Sequence, residues 1–271
     1  MNTTRSHDRS VIVIPARLGS TRLPRKMLLR DTGKTLVQHT WEVACASAQA
    51  DRVIIATDSD EILREVEQFG GKAVLTDPAA TSGTERIVEL LPHFPDADVI
   101  VNLQGDEPEL DPHAINLLID LLMRTPTAGM ATLVTPIVRR EDLDDPSAVK
   151  AVLTPWCERY DQREPTVPNT WRAIYFSRAA VPFSRDWNDS LLVASPPLYW
   201  QHIGLYAYRP WVLNAWQSLR HSRLASHESL EQLRLVEAGI PIVATVVPHG
   251  FRGIDTPTEY AAFVARQKAH K

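Results

Sequence analysis

Residues 11–26 read V-I-V-I-P-A-R-L-G-S-T-R-L-P-R-K, and their reading sets the frame for the rest of the chain. Positions 11–14 form a short apolar run with the character of a buried strand, and Pro15 is expected to end its ladder. The segment that follows holds four cations, Arg17, Arg22, Arg25 and Lys26, together with Gly19, Ser20 and Thr21, and no acid. Backbone N–H groups, guanidinium and ammonium at the carboxyl end of a strand suit a polyphosphate. A solvated basic loop is the plainer alternative for such a segment taken alone. The spacing is neither a G-x-x-x-x-G-K-[ST] loop nor a G-x-G-x-x-G dinucleotide fingerprint.

Working outward, strand and helix patterns alternate. Strands are expected at 53–56, 72–75, 99–103 and 130–134, and helices at 36–48, 60–69, 84–91 and 112–123. This alternation predicts an α/β fold: three layers, αβα, around a mainly parallel mixed sheet, with ligands beyond the carboxyl ends of the strands. Arg86 is placed on the wetter side of its helix. Further strands are expected at 173–176, 203–208 and 242–247, and helices at 210–218 and 229–238. Residues 154–171, with three prolines and two tryptophans, read as a surface excursion.

With 271 residues, 44% of them hydrophobic, the chain is long enough for a large core. A net charge of −4 argues against nucleic acid or an anionic membrane as partner, so the first loop is a local concentration of positive charge. Two cysteines, Cys45 and Cys157, give neither a metal spacing nor a disulfide scaffold. Cys45 falls in an apolar helical pattern and is expected in the core. The N-terminus carries no signal-peptide pattern and no apolar run spans a bilayer, which makes a reduced cytoplasm the expected location.

Several further segments carry chemistry. Asn102 to Pro108, N-L-Q-G-D-E-P, ends a strand with adjacent acids, and Asp106 there can hold a divalent cation or simply belong to an acidic turn. Asp255, in G-I-D-T-P at 253–257, has the same potential, although Asp255 or Thr256 can equally cap a helix beginning at Pro257 with Glu259 in its first turn. Thr81-Ser82-Gly83-Thr84 either caps a helix or offers its backbone to a base. Arg178 ends a strand in a form suited to a carboxylate. For His202 a structural role competes with a ligand contact. Residues 228–234 read as helical, with Glu231 and Gln232 free to face a polyol.

Taken together, these segments resemble the 3-deoxy-manno-octulosonate (Kdo) cytidylyltransferase family. The matching pieces run in family order through IPARLGSTRLPRK, ATDSDEI, SGTERI, VNLQGDEP, GMATL, VKAVL, IYFSRAAVPFSRD, QHIGLYAYR, LEQLRLVEAG and GIDTPTEY, from residue 11 to 260. The resemblance implies a single cytidylyltransferase domain over 11–271 after a flexible stretch 1–10, with a sugar-binding and dimerisation subregion at about 154–225. It implies formation of CMP-Kdo and pyrophosphate from CTP and Kdo, with Mg²⁺, in a cytoplasmic homodimer serving lipopolysaccharide biosynthesis. Arg17 and Lys26 then correspond to triphosphate contacts, with Ala16, Ser20, Thr21 and Arg22 around them. Ser82, Gly83 and Gln104 correspond to cytosine and ribose contacts, and Asp106 and Asp255 to the metal carboxylates. Arg178, His202, Glu231 and Gln232 correspond to the sugar-acid site. Rival readings are a cytidylyltransferase for 8-amino-Kdo or sialic acid, and a non-catalytic nucleotide-binding relative. The chain departs from the family pattern at Arg25, where glycine is usual, at Ala80, where histidine is common, and in the length of 154–171.

Overall fold

Strand β1 (Ser10–Ala16) is buried along its whole length, as a central parallel strand covered on both faces must be. The computed structural model describes residues 9–157, 168–251 and 253–269. It divides into two units, Met1–Asn116 with Phe251–Lys271, and Leu117–Gly250. In the first unit β1 pairs in parallel with β2 (Arg52–Thr57) and with β4 (Val99–Asn102), and β2 pairs with β3 (Ala73–Leu75). Pro15 does not end the ladder as expected. Pairing with β2 continues through Pro15 and Ala16, whereas the β4 register stops at Val13. Proline thus sits where the strand has one neighbour left, a position that tolerates a missing donor.

Helices α1 (Leu36–Cys45), α2 (Asp60–Gln68) and α3 (Gly83–Leu90) fall between these strands. Ser59 caps α2 by accepting from the amides of Glu61 and Ile62, and Ser82 caps α3 by accepting from Glu85 N. Two side chains differ from expectation. Cys45, in the last turn of α1, is exposed rather than in the core. Arg86 is buried at 4% exposure, because its guanidinium has polar partners inside the fold. The returning C-terminal segment packs Ile254, Tyr260 and Phe263 against Leu23 and Leu36. That cluster, with the bond from Tyr260 Oη to Asp31 (2.9 Å), seats α9 (Pro257–Ala269) beside the basic loop.

Helix α4 (Pro112–Arg124) spans the division between the units. In the second unit the strands are β5 (Met130–Pro136), β6 (Lys150–Pro155), β7 (Trp171–Ser177), β8 (Trp200–Tyr208) and β9 (Ile242–Val246). Here the expectation of a mainly parallel sheet needs correction. Their order is β8-β5-β9-β7-β6, and β6 pairs back onto β8 through Lys150 with Gln201 and Ala151 with Trp200, closing the five strands into a barrel. Only the β5–β9 pairing is parallel among them. Closure leaves β6 and β8 no free edge against each other. The mixed α/β class holds; the second unit adds a mostly antiparallel closed sheet.

The expected excursion 154–171 overlaps β6 and β7 at its ends, and residues 158–167 lie outside the described residues. Residues 1–8 of the expected flexible N-terminus lie outside them too. A short helix, α5 (Arg140–Asp144), was not anticipated. After α6 (Pro210–Ala215), the expected continuous helix over 228–234 is broken. α7 (Arg223–Glu228) ends at Ser229, whose φ of 53° lies in the left-handed region, and α8 (Leu233–Glu237) begins anew with Gln232 as its N-cap residue. No helix among the described residues is long and apolar enough to cross a membrane.

Candidate active site

The first unit holds a cavity of about 370 Å³ at the carboxyl ends of its strands. Its wall includes Arg17, Ser20, Thr21, Arg22 and Lys26 from the basic loop, Ser82, Gly83 and Arg86 from the start of α3, and Gln104, Gly105, Asp106 and Asp255. The loops after β1 and β4, the start of α3 and the segment before α9 therefore converge, as strand-end loops of a parallel sheet do. Of the first-unit residues expected at the nucleotide, Ala16 is the exception. It is fully buried in the ladder opposite Thr57 and does not line the cavity.

Gly105 is required by close approach. A Cβ there would stand 2.9 Å from the Pro15 carbonyl oxygen and 3.0 Å from Met27 Sδ, so any side chain would push the two strand-end loops apart. Arg25 takes φ 55°, the left-handed conformation that glycine adopts at no steric cost. Arg25 therefore holds a conformation that favours glycine, and an ion pair from Arg25 to Glu61 accompanies the strained residue. Ala80, the other departure, lines the cavity without a polar side chain.

Lys26 is the electrostatic centre. Its side chain is 8% exposed, and its Nζ donates to Asp106 Oδ2 at 2.5 Å and to Asp255 Oδ1 at 2.9 Å. Arg22 Nη2 donates to the other Asp255 oxygen at 2.9 Å. Partial burial pushes the Asp255 carboxyl up, but the hydrogen bonds and charges of Lys26 and Arg22 outweigh it and hold the group below the usual carboxylate range. Glu107 behaves oppositely. Burial, and then the neighbouring Asp106 charge, push it up to about 8. Of the two adjacent acids in Q-G-D-E-P, only Asp106 lines the cavity, and Glu107 is buried, where the neutral form of its carboxyl is favoured. Arg17 is exposed and makes no ion pair among the described residues.

The capping alternative for Asp255 is resolved by geometry. Thr256 Oγ1 accepts from Glu259 N at 3.3 Å, while Glu259 Oε2 accepts from Thr256 N at 2.8 Å and from Asp255 N at 2.9 Å. This is a reciprocal capping box built on Thr256. The Asp255 carboxylate takes no part in it and points instead to Lys26 and Arg22.

The residues expected at the sugar acid all fall in the second unit. Arg178 Nε donates to the Glu228 carbonyl at 2.7 Å and Nη1 to the Pro146 carbonyl at 3.0 Å, so its guanidinium clamps backbone. His202 is in the interior, 7% exposed, with Nε2 2.9 Å from Thr132 Oγ1 and its ring edge-on to Phe176. Burial pushes its pKa down to about 3. Gln232 is 2% exposed; its Oε1 accepts from Tyr206 Oη at 3.3 Å and its Nε2 has no partner among the described residues. Glu231 lines a separate hollow with His221 and Arg234.

A pH consequence follows for His202. Its folded value of about 3 lies below the ordinary 6.5, so the neutral ring is the form the fold accepts. The stability attached to that form is complete above about pH 6.5 and declines as pH falls towards 3, with a limiting slope of about 1.4 kcal/mol per pH unit. Denaturant titrations from pH 7 to 4 are expected to show a shallower decline for His202→Gln than for the parent chain; parallel declines refute this.

Sequence reading missed Arg86 as part of the cavity wall and Asp58 as its partner behind it. Asp58 follows β2, and its carboxylate accepts from Leu18 N (3.1 Å) and from Arg86 Nη2 (2.8 Å). The A-T-D turn after β2 was a usable signal for Asp58. Nothing local marked Arg86 as buried.

The sequence model of the cytidylyltransferase family matches residues 11–242. A 3-deoxy-manno-octulosonate cytidylyltransferase of Rhodopirellula baltica is 47% identical over 257 residues, covering 94% of this chain and 97% of the relative. An 8-amino-3,8-dideoxy-manno-octulosonate cytidylyltransferase of Shewanella woodyi is 40% identical over 258 residues, covering 94% and 97%. Among solved structures, a CMP:2-keto-3-deoxy-manno-octonic acid synthetase complexed with CTP superposes with a TM-score of 0.83 at 38% identity, over 97% of this chain and 100% of that one. A likeness at this identity and coverage extends through both units, and the chain belongs to the cytidylyltransferase family.

Proposed function

We propose that the protein activates Kdo with CTP, releasing pyrophosphate and forming CMP-Kdo. The carrying observation is the cavity that Arg17, Arg22 and Lys26 line together with Asp106 and Asp255, in a chain of this family. The anomeric 2-hydroxyl of Kdo attacks the α-phosphorus, the bond to the bridging oxygen breaks, and pyrophosphate carries away the electron pair. The hydroxyl proton is lost to solvent, and no covalent enzyme intermediate is needed. Catalysis on this reading is the positioning of two anions and the neutralisation of charge on the phosphates.

Arg17 and Lys26 meet the triphosphate. Lys26 spends two of its three N–H donors on Asp106 and Asp255, leaving one for a phosphate oxygen. Ser82, Gly83 and Gln104 face the cytidine. The paired carboxylates of Asp106 and Asp255 suit Mg²⁺, which takes one or two protein carboxylates and completes its shell with phosphate and water. When bound, Mg²⁺ supplies charge neutralisation at the phosphate oxygens and acidity at the attacking hydroxyl. The protein chain itself supplies the donors and holds the acids in place. We place the sugar acid near Arg178, Glu231 and Gln232, with His202 supporting that region from the interior. We also place the enzyme in the cytoplasm as a homodimer, at the sugar-activation step of lipopolysaccharide synthesis.

Pyrophosphate release tests the reading. CTP with Kdo and Mg²⁺ is expected to turn over, with UTP at least about tenfold slower and EDTA abolishing the reaction. Relatives acting on 8-amino-Kdo are 40% identical, so that sugar belongs in the same assay. A higher kcat/KM for the 8-amino sugar reassigns the substrate within the family. Equal rates with UTP, or turnover in EDTA, overturn the proposal.

A further inference from the structure

The first part of the basic loop, residues 17–22, has little backbone support of its own. Among the described residues, the backbone of 17–22 has one hydrogen bond to the rest of its unit, from Leu18 N to Asp58 Oδ1 at 3.1 Å. The second Asp58 oxygen accepts from Arg86 Nη2 at 2.8 Å. The side chains of Arg86 and Asp58 are only 5% and 16% exposed. Arg86 is fixed in turn: its Nη1 donates to Thr76 Oγ1 at 2.7 Å and to the Asp77 carbonyl at 3.2 Å. Thr76 is tied to β2 by its amide and its hydroxyl, both donating to the Thr57 carbonyl. A chain of satisfied polar groups therefore runs from β2 through Thr76, Arg86 and Asp58 to the loop amide. Asp58 does not line the cavity, whereas the loop it holds supplies Arg17, Ser20, Thr21 and Arg22 to the wall.

We propose that Asp58, locked by the buried Arg86, is a positioning residue for the triphosphate: through the Leu18 amide it fixes the basic loop and sets affinity for the phosphates, leaving the cytidine contacts alone. The inference rests on the CTP reading above. An anion site is effective when its donors stand in place before the anion arrives, and an unanchored loop must be ordered at the expense of binding.

Calorimetric titrations with CTP and with CMP, in Mg²⁺, test it. The parent chain is expected to hold CTP more tightly than CMP; if it does not, the nucleotide reading itself fails. In Asp58→Leu/Arg86→Met both buried charges are gone, a change that commonly preserves folding. Its CTP affinity should fall by about tenfold or more, with CMP affinity within about twofold of the parent. In Asp58→Asn/Arg86→Met the side-chain carbonyl again accepts from Leu18 N, and most of the lost CTP affinity should return. That recovery separates anchoring from any direct contact of Arg86 with the nucleotide. Leu18→Pro removes the donor, at the cost of a fixed φ at 18 and a restricted backbone at Arg17, leaves the Asp58–Arg86 pair intact, and should copy the selective CTP loss even if the double variants fail to fold. The inference is overturned by an unchanged CTP to CMP ratio in Asp58→Leu/Arg86→Met or in Leu18→Pro, by equal losses for both nucleotides, or by no recovery with asparagine.

Discussion

Asp106→Asn and Asp255→Asn are each expected to cut kcat by a factor on the order of 10²–10³, while the chain stays folded. Asparagine keeps the shape and one acceptor, so Lys26 can still donate to either position. What disappears is one of the two formal negative charges that converge on a single point, the ammonium nitrogen lying 2.5 Å from Asp106 and 2.9 Å from Asp255. A divalent cation with few protein ligands cannot absorb the loss of one carboxylate. For Asp255 the fold should be nearly indifferent, because Thr256 and Glu259 form the helix cap between themselves. Thr256→Ala is the matching control. It should lower stability by about 0.5–2 kcal/mol and leave kcat near normal, whereas Asp255→Asn should do the reverse. Asp255→Asn with normal turnover and a lowered melting temperature would return that residue to a purely structural role.

These two acids also show where the sequence was legible. Both sit in turns after strands with Gly and Pro beside them, so their candidacy could be read locally. Their common partner could not, since Lys26 lies 80 and 229 residues away. The capping question was in principle local, because T-P-T-E at 256–259 is itself a capping box. The first unit was readable because its strands are apolar runs alternating with helices, two of them capped by Ser59 and Ser82, and parallel pairing follows from that alternation. The second unit was less so. Closure of its sheet rests on pairing Lys150 and Ala151 with Gln201 and Trp200, which no local periodicity encodes. The break at Ser229 was hidden because a serine, not a glycine, takes the left-handed conformation there. Arg86 looked solvated by composition. Its burial depends on Asp58 and Thr76, 28 and 10 residues upstream.

Lys26→Met should separate the two jobs that the lysine performs. Its loss removes a charge-assisted contact to the phosphates, and kcat/KM for CTP is expected to fall by a factor on the order of 10²–10³. Metal binding in the absence of nucleotide should move the other way. In the parent chain the ammonium lies within 3 Å of a carboxylate oxygen on each side, at 2.5 and 2.9 Å, and so stands as counter-ion to both acids. An incoming cation must share that space and meets like charge. Methionine fills similar volume without charge, leaving Asp106 and Asp255 to repel each other until a cation arrives. Mn²⁺ titrations followed by electron paramagnetic resonance, without nucleotide, should therefore show tighter binding in Lys26→Met by about tenfold, equivalent to about 1.4 kcal/mol. Adding Asp106→Asn to that variant should abolish the gain, which ties it to the carboxylate pair rather than to a surface site. The parent enzyme would then take its metal chiefly together with CTP, whose phosphates engage Lys26 and complete the metal's shell at once. Unchanged or weaker Mn²⁺ binding in Lys26→Met would show that the two acids do not form a cation site held in check by the lysine.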